Sequence, residues 1–439
     1  MSGDPKDIYE NYKYGERKPL KIDDDDLTDR EKFLLVESEK FCILPWIHLH
    51  AFPTGEAYPC CLSDGNLPVG SMRENTMEEI WRGDKMHNIR DNMIKEESCS
   101  ECSKCYEQES SGFFSMRNSA NRSFGHLVKD MNVDDASDLG EFKLRYYDIR
   151  FSNLCNLACR SCGDRFSSNW VKENKKMGYL PKDAPNVSYA GRHQMDAWEQ
   201  LLPHIPYLEE VYFAGGEPLI MEEHYRLIKE LISRGRTDVK LIYNTNFSEL
   251  KFKGESVLDL WNQFDSVSVG ASLDASGKRG ELMRYGTVWD NVVRNREEML
   301  RVCPDVDFYV SSTLSIMNAF HLPEFHREWV KMGLVESKDW NINILQGPAY
   351  YRLDSLPSEM KADVEKMYKD HIEWLKSYDE FGRATRGYES AIKFMNGGDN
   401  THLIPEFIRR TRFLDAAREE KFFYVFPELQ GLKNENTAD

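Results

Sequence analysis

From about Phe142 to Pro348 the chain repeats a strand, a loop and a helix, and this alternation restricts its fold more than any other feature. The candidate strands are Leu144 to Phe151, Glu209 to Phe213, Val239 to Tyr243, Ser266 to Ala271, Asp307 to Ser312 and Asn341 to Leu345, short runs rich in β-branched and aromatic residues. Between them, segments such as EEHYRLIKELISRG and WDNVVRNREEMLRV carry apolar residues three or four apart, the spacing of an amphipathic helix. Six strands alternating with helices predict an α/β fold with a parallel sheet, curled into a partial (β/α)6 barrel like part of a TIM barrel. In such barrels function gathers at the C-terminal ends of the strands. The unusual short motifs of this chain fall there.

Just after the first of these strands comes CNLACRSC, in which Cys155, Cys159 and Cys162 have the spacing C-x3-C-x2-C. Three thiolates on one short loop can hold three corners of an iron-sulfur cube and leave the fourth iron open to a ligand. A structural zinc or redox site is the alternative for the triplet alone. After the second strand, Gly215-Gly216-Glu217-Pro218 combines two glycines, which let the backbone approach a ligand, with a carboxylate suited to an ammonium group. Asn244-Thr245-Asn246 ends the third strand with amide donors and acceptors. Ser272-Leu273-Asp274 ends the fourth, and its Ser-x-Asp pattern can bond ribose hydroxyls or a carboxylate. Gly-Gly after a strand is by itself only a turn.

Composition narrows the partners. The 439 residues carry 57 Lys plus Arg against 74 Asp plus Glu, a net charge of -17, which disfavours a nucleic-acid partner. The first residues lack the apolar core of a signal peptide, and no run approaches the roughly 18 apolar residues of a membrane span, so a cytoplasmic protein with no membrane partner is expected. In a reducing compartment ten cysteines argue for metal ligation over disulfides.

The N-terminal third holds a second cysteine set. Residues 1–37 read as a polar extension that includes the four-carboxylate run Asp23 to Asp26. The segment FCILPWIHLHAFPTGEAYPCCLSDG then predicts a hairpin bending at Pro53-Thr54-Gly55, followed by a helix around Met77 to Trp81 and by CSECSKC. If Tyr58 to Leu62 is a strand, Cys60 and Cys61 point to opposite faces. Cys60 is the preferred ligand because it follows Gly55 at the offset G-x4-C, and it is grouped with Cys42, Cys102 and Cys105, leaving Cys61 and Cys99 as spares. Paired C-x2-C units also suit a zinc ribbon. His48 and His50 alternate along the first strand and read as cover for a strand face rather than ligands.

The order of cysteine triplet, GGEP, NTN and SLD, one per strand end, resembles the radical S-adenosylmethionine (SAM) enzymes. The N-terminal set, with Cys42, Leu44-Pro45-Trp46, Gly55, Cys60-Cys61, Gly65-Asn66, Ile80-Trp81 and Cys102-Ser103-Lys104-Cys105, resembles a twitch domain, the shortened relative of SPASM, here placed first. The resemblance implies four regions: the extension 1–37, a small α+β auxiliary-cluster domain 38–125, the barrel 140–350 and C-terminal helices 351–439. It implies two [4Fe-4S] clusters, one on Cys155, Cys159 and Cys162 and one on Cys42, Cys60, Cys102 and Cys105. It also implies a SAM site at Gly215, Gly216, Glu217, Pro218, Asn244, Asn246, Ser272, Asp274 and Arg284, the last, in MRYG, for the methionine carboxylate or else in a surface ion pair. One departure is Ser161, where relatives often carry an aromatic residue near the adenine, so no adenine contact is assigned.

The chemistry implied is one-electron cleavage of SAM to methionine and a 5′-deoxyadenosyl radical that takes a hydrogen atom from a substrate, fed by a reductant such as flavodoxin or ferredoxin. The auxiliary cluster would accept an electron from the substrate or shape its pocket. Three readings stand: radical chemistry on a peptide or protein side chain, the same chemistry on a small metabolite such as an alcohol being dehydrogenated, and a non-catalytic iron-sulfur or zinc protein. Asp148, Glu217 and Asp274 are carboxylates in or after candidate strands, but none is singled out as a substrate base. Beyond the barrel a long helix is expected with Met360, Val364, Met367, His371 and Leu375 on one stripe. A second runs from Pro405 to Glu420, where Asp415 and Arg418 are spaced to pair, before a frayed tail GLKNENTAD. Cys303 reads as a packing residue.

Overall fold

The computed structural model describes residues 26–110, 114–379 and 382–436. Of the expected extension, residues 1–25, and with them Asp23 to Asp25, lie outside the described residues. Its last part is not polar throughout, since Leu34 and Leu35 are buried in the core.

One sheet organises the chain. In chain order its strands are β1 (His48–Ala51), β2 (Glu56–Tyr58), β3 (Gly70–Ser71), β4 (Tyr146–Ile149), β5 (Glu210–Phe213), β6 (Lys240–Thr245), β7 (Val267–Ala271), β8 (Asp307–Leu314) and β9 (Trp340–Ile344). The spatial order is β9-β8-β7-β6-β5-β4-β1-β2-β3. All six expected barrel strands form, and β4 to β9 lie side by side in sequence order, every pair parallel. Consecutive parallel strands with crossovers of one hand put their helices on one side, and the sheet curls into a partial barrel.

The sheet does not stop at β4. β1 of the N-terminal hairpin pairs with it in parallel, His48 opposite Tyr146 and Ala51 opposite Ile149, so the hairpin extends the barrel sheet. β2 and β3 then add antiparallel neighbours at that edge. The hairpin turns at Pro53 to Gly55 as expected. Its second strand ends at Tyr58, which leaves Cys60 and Cys61 in a turn rather than on a strand.

The two faces of the sheet differ. One carries Val211, Phe213, Leu241, Tyr243, Val267, Val269, Phe308 and Trp340, all buried. The helices lie on this face: His224 of Glu222–Ser233 bonds the Tyr243 hydroxyl, and Phe325 of Leu322–Lys331 meets the Trp340 ring. The other face is polar, with Asp148, Tyr212, Lys240, Asn244 and Ser268 along neighbouring strands. Tyr212, Ile242 and Asn244 on the central strands β5 and β6 are only half-buried. Central-strand residues stay accessible only when a solvent-reachable hollow reaches them, so the concave side of the partial barrel is open.

The C-terminal region forms three long helices, Ser358–Leu375, Arg383–Asn396 and Ile404–Arg418. The first buries Val364, Tyr368, His371 and Leu375, a stripe shifted from the expected one by the inclusion of Tyr368 and the half-burial of Met360 and Met367. The second packs against β9 through Gly387, where a side-chain Cβ would stand 3.1 Å from Ile342. The tail is not frayed over its first part, because Pro427–Asn436 is helical and Leu429 and Leu432 are buried.

Candidate functional site

The loop Cys155 to Cys162 leaves the C-terminal end of β4 and is held from three directions. The start of helix Ser168–Lys176 grips it first: the Ser168 hydroxyl bonds both the amide and the carbonyl of Cys155 at 3.1 Å, and Trp170 Nε1 donates to the Cys159 carbonyl at 2.8 Å. From a second side the amides of Ala158 and Arg160 donate to the carbonyls of Tyr285 and Met283. The third hold comes from the C-terminal helix. Arg160, fully buried, meets Asp415 at 2.6 Å and Glu420 at 2.7 Å, while Arg418 reaches the Ala158 carbonyl and Glu173, each at 2.8 Å. Asp415 and Arg418 therefore do not pair with each other as their spacing suggested. A charge inside the cysteine loop and one on the adjoining helix are stronger partners, because both are desolvated and otherwise uncompensated.

All three thiols of the loop are free, with Cys155 and Cys159 half-buried and Cys162 exposed. Burial, then the neighbouring Cys159, pushes the Cys155 thiol up. Burial also raises Cys159, against the pull of the Arg284 guanidinium, whose Nη1 stands 3.9 Å from its sulfur. Sulfurs close enough to oppose one another's ionisation, with a cation beside them, fit a thiolate-bound cluster, and its assembly would release their protons.

The other sequence-predicted residues converge on the same strand ends. Glu217 is buried and accepts from the Thr245 hydroxyl at 2.6 Å, the Asn246 amide at 2.6 Å and the Leu219 amide at 3.0 Å. Burial outweighs these bonds and lifts its carboxyl to about 7. Pro218, buried beside it, opens a short helical turn over Pro218–Ile220. Asn246 donates to the Asn156 side chain at 2.9 Å, so the NTN loop is tied to the cysteine loop. Ser272 donates its amide to the Thr245 carbonyl, and the Asn244 amide bonds the Tyr212 hydroxyl. Asp274 accepts from Arg284 Nη2 at 2.9 Å and from the Thr313 amide at 2.8 Å, and Arg284 Nε stands 2.9 Å from its other oxygen as an ion pair. Arg284 is thus in a buried ion pair, not a surface one. A Cβ on Gly216 would come within 2.1 Å of the Leu154 carbonyl, so this glycine is needed first for the GGEP loop to lie against the chain leading into Cys155.

The N-terminal cysteines also converge. Cys42, Cys60, Cys102 and Cys105 line one cavity with Leu44, Leu62, Met93, Met116 and Arg117, while Cys61 and Cys99 are not on its wall. Arg117 bonds the carbonyls of Ser38 and Phe41 and pairs with Glu109, which holds a cation beside Cys42 and Cys105. Burial raises the thiols of Cys42, Cys60 and Cys105, and that of Cys102 rises first through its bond to Cys99 and then through burial. Four sulfurs around an apolar cavity with one arginine suit an anionic cluster that uses all four as ligands. Burial, then the charge of Asp148, raises the Cys61 thiol.

Some features of this face carried no sequence signal. The Arg150 and Asp148 side chains meet at 2.8 Å, Asp148 accepts from His50 at 3.2 Å, and Arg150 covers the Tyr212 ring. His48 and His50 do cover a strand face, bonded to the carbonyls of Tyr146 and Asp148.

Comparison with known proteins adds one match within the chain. Residues 42–106 match the family model of SPASM, described as an iron-sulfur cluster-binding domain, the stretch that carries the four converging cysteines. Among solved structures the chain is similar to native anSMEcpe with bound AdoMet, at 18% identity and a TM-score of 0.37, over 58% of this chain and 62% of that one. It is also similar to Streptococcus suis SuiB bound to S-adenosylmethionine, at 11% identity and a TM-score of 0.32, over 66% and 63%. TYW1 with a lysine-pyruvate adduct bound is a third, at 12% identity and a TM-score of 0.27, over 51% and 70%. The chain thus spans about 62% of the length of the first of these. No curated protein matches its sequence. Among the described residues no helix is long and apolar enough to cross a membrane.

Proposed function

We propose that this chain is a radical SAM enzyme of the cytoplasm with an auxiliary [4Fe-4S] cluster, and that it abstracts a hydrogen atom from a peptide or protein side chain. The observation that carries the reading is the convergence of Cys155, Cys159 and Cys162 with the GGEP and NTN loops, which are cross-tied at one end of the sheet through Glu217 and Asn246. A cluster held there with one iron open supplies the reductive cleavage of SAM and the resulting 5′-deoxyadenosyl radical.

The chain's own residues have positioning roles. Glu217 fixes the second and third strand-end loops relative to each other, and Asn246 fixes both to the cysteine loop. Asp274 orients Arg284, leaving one guanidinium nitrogen toward the Cys159 sulfur as a counter-charge. The half-buried Tyr212 and Asn244 offer a phenol and an amide in the hollow where a substrate would lie. Cys42, Cys60, Cys102 and Cys105 would hold the auxiliary cluster, an electron acceptor if the substrate is oxidised.

The same polar hollow suits dehydrogenation of a hydroxylated small metabolite, and this second reading rests on it. The deciding assay is anaerobic incubation of the reconstituted protein with SAM and dithionite, followed by measurement of 5′-deoxyadenosine. Formation by the unmodified chain and none by Cys159→Ala is the expected result, and cleavage that persists in the variant removes the proposal.

A further inference from the structure

An open groove of about 390 Å³ lies between helix Ser168–Lys176 and helix Ile404–Arg418, lined by Asn174, Tyr179, Tyr350, Glu406, Arg410 and Phe413, with Arg409 beside them. Its walls are helix Ser168–Lys176, which grips the loop, and helix Ile404–Arg418, which clamps it. The floor leads inward. Arg410 lies over the rings of both Phe413 and Trp170, and the Trp170 indole donates to the Cys159 carbonyl at 2.8 Å. Two side chains therefore separate the groove from a ligand residue of the proposed cluster.

The charge of this patch opposes that of the chain. Against a net charge of -17, the lining holds two arginines and one glutamate, and since Arg409 pairs with Glu406, Arg410 is the lining's uncompensated charge. Arg412 lies on the same helix three residues from Arg409, and both are exposed. Among the described residues Arg410 makes no ion pair, and Tyr179 is 62% exposed. Arg410 and Arg412 beside an exposed tyrosine, on a chain of net negative charge, are complementary to an acidic protein partner.

We infer that this groove docks an acidic one-electron carrier protein, which delivers its electron to the Cys155–Cys162 site across Trp170. The inference rests on the proposed radical function, because only a reducible centre at that loop gives a carrier reason to dock there. In the handover the carrier is oxidised by one electron and the cysteine-loop site is reduced by one, with no bond made or broken and no proton moved. Charge at the rim acts on encounter, so its reversal lowers the association rate and flattens the salt dependence.

The test uses the full chain, reconstituted anaerobically, with reduced flavodoxin as the acidic carrier and dithionite as a small reductant that needs no docking site. The Arg409→Glu/Arg412→Glu variant is expected to weaken flavodoxin binding by calorimetry and to slow its oxidation about 10-fold. Its 5′-deoxyadenosine yield with dithionite should stay unchanged. Tyr179→Ser, at a side chain too exposed to affect folding, should give a smaller fall of the same kind. Equal losses with both reductants, or unchanged flavodoxin binding and oxidation in both variants, overturn the inference. So does a single-stranded RNA oligonucleotide whose binding is lost in the variants while flavodoxin binding is kept. If the unmodified chain binds flavodoxin but cleaves no SAM with dithionite, the proposed function fails and the docking surface is still read from binding.

Discussion

The two cysteine sites solve different problems with the same side chain. The N-terminal site surrounds a cavity with four thiols and apolar neighbours, and its single cation, Arg117, is fixed by backbone carbonyls. The site after β4 has three thiols, one of them exposed, and polar loops converge on it from three strand ends. A centre whose ligands are all protein is built to store charge, whereas one that lacks a ligand is built to bind something else. The difference lies in the number of ligands and in what surrounds them.

The sharpest way to break this comparison is Cys159→Ala, which should abolish SAM cleavage and lower iron from about eight to about four per chain, leaving the N-terminal cluster intact. Iron analysis alongside the 5′-deoxyadenosine assay checks it. Next come Cys102→Ala and Cys99→Ala as a pair. The first removes a cavity ligand and should lose about four iron while SAM cleavage continues, and the second should keep about eight. Equal iron in the two would show that the cavity wall does not mark the ligands.

A smaller effect is expected from Arg160→Met, which leaves Asp415 and Glu420 without their buried cation. It should cost about 3 kcal/mol in urea denaturation, and Asp415→Asn should recover part of the loss in a double-mutant cycle. The smallest is a pH effect at Glu217, lifted by burial from 4.5 to about 7. The folded state holds its proton over that interval and the unfolded state does not, so the contribution is full below pH 4.5 and is lost as pH rises through 7. Urea midpoints of the metal-free protein should fall between pH 5 and 8, and Glu217→Gln should flatten that fall.

Much of the sheet was legible because its strands are short β-branched and aromatic runs separated by amphipathic helices, and all six fell where the pattern put them. The four cysteines that line the cavity are the set the resemblance implied, with only Cys60 chosen by its spacing from Gly55, even though the strand invoked to separate Cys60 from Cys61 ends at Tyr58. Pairings across long stretches were not. Arg160 and Asp415 stand 255 residues apart, and a local rule matched Asp415 with Arg418 because it sees only one helix. Helix Arg383–Asn396 escaped notice for a related reason: Gly387 lowers helix propensity, and its use against Ile342 is visible only once β9 is in place. Glu217 was read as a ligand-binding group, and its three internal bonds show that it first joins two loops.

The pairing of β1 with β4 means that backbone hydrogen bonds, and not a hinge, set the spacing between the two cysteine sites. An electron passing from one to the other would cross a fixed gap, insensitive to thermal rocking of one half against the other. Cutting the chain ahead of Tyr146 would strip that strand of its neighbour and bare a row of unsatisfied amides, so the shortened protein should clump rather than survive as a free-standing barrel.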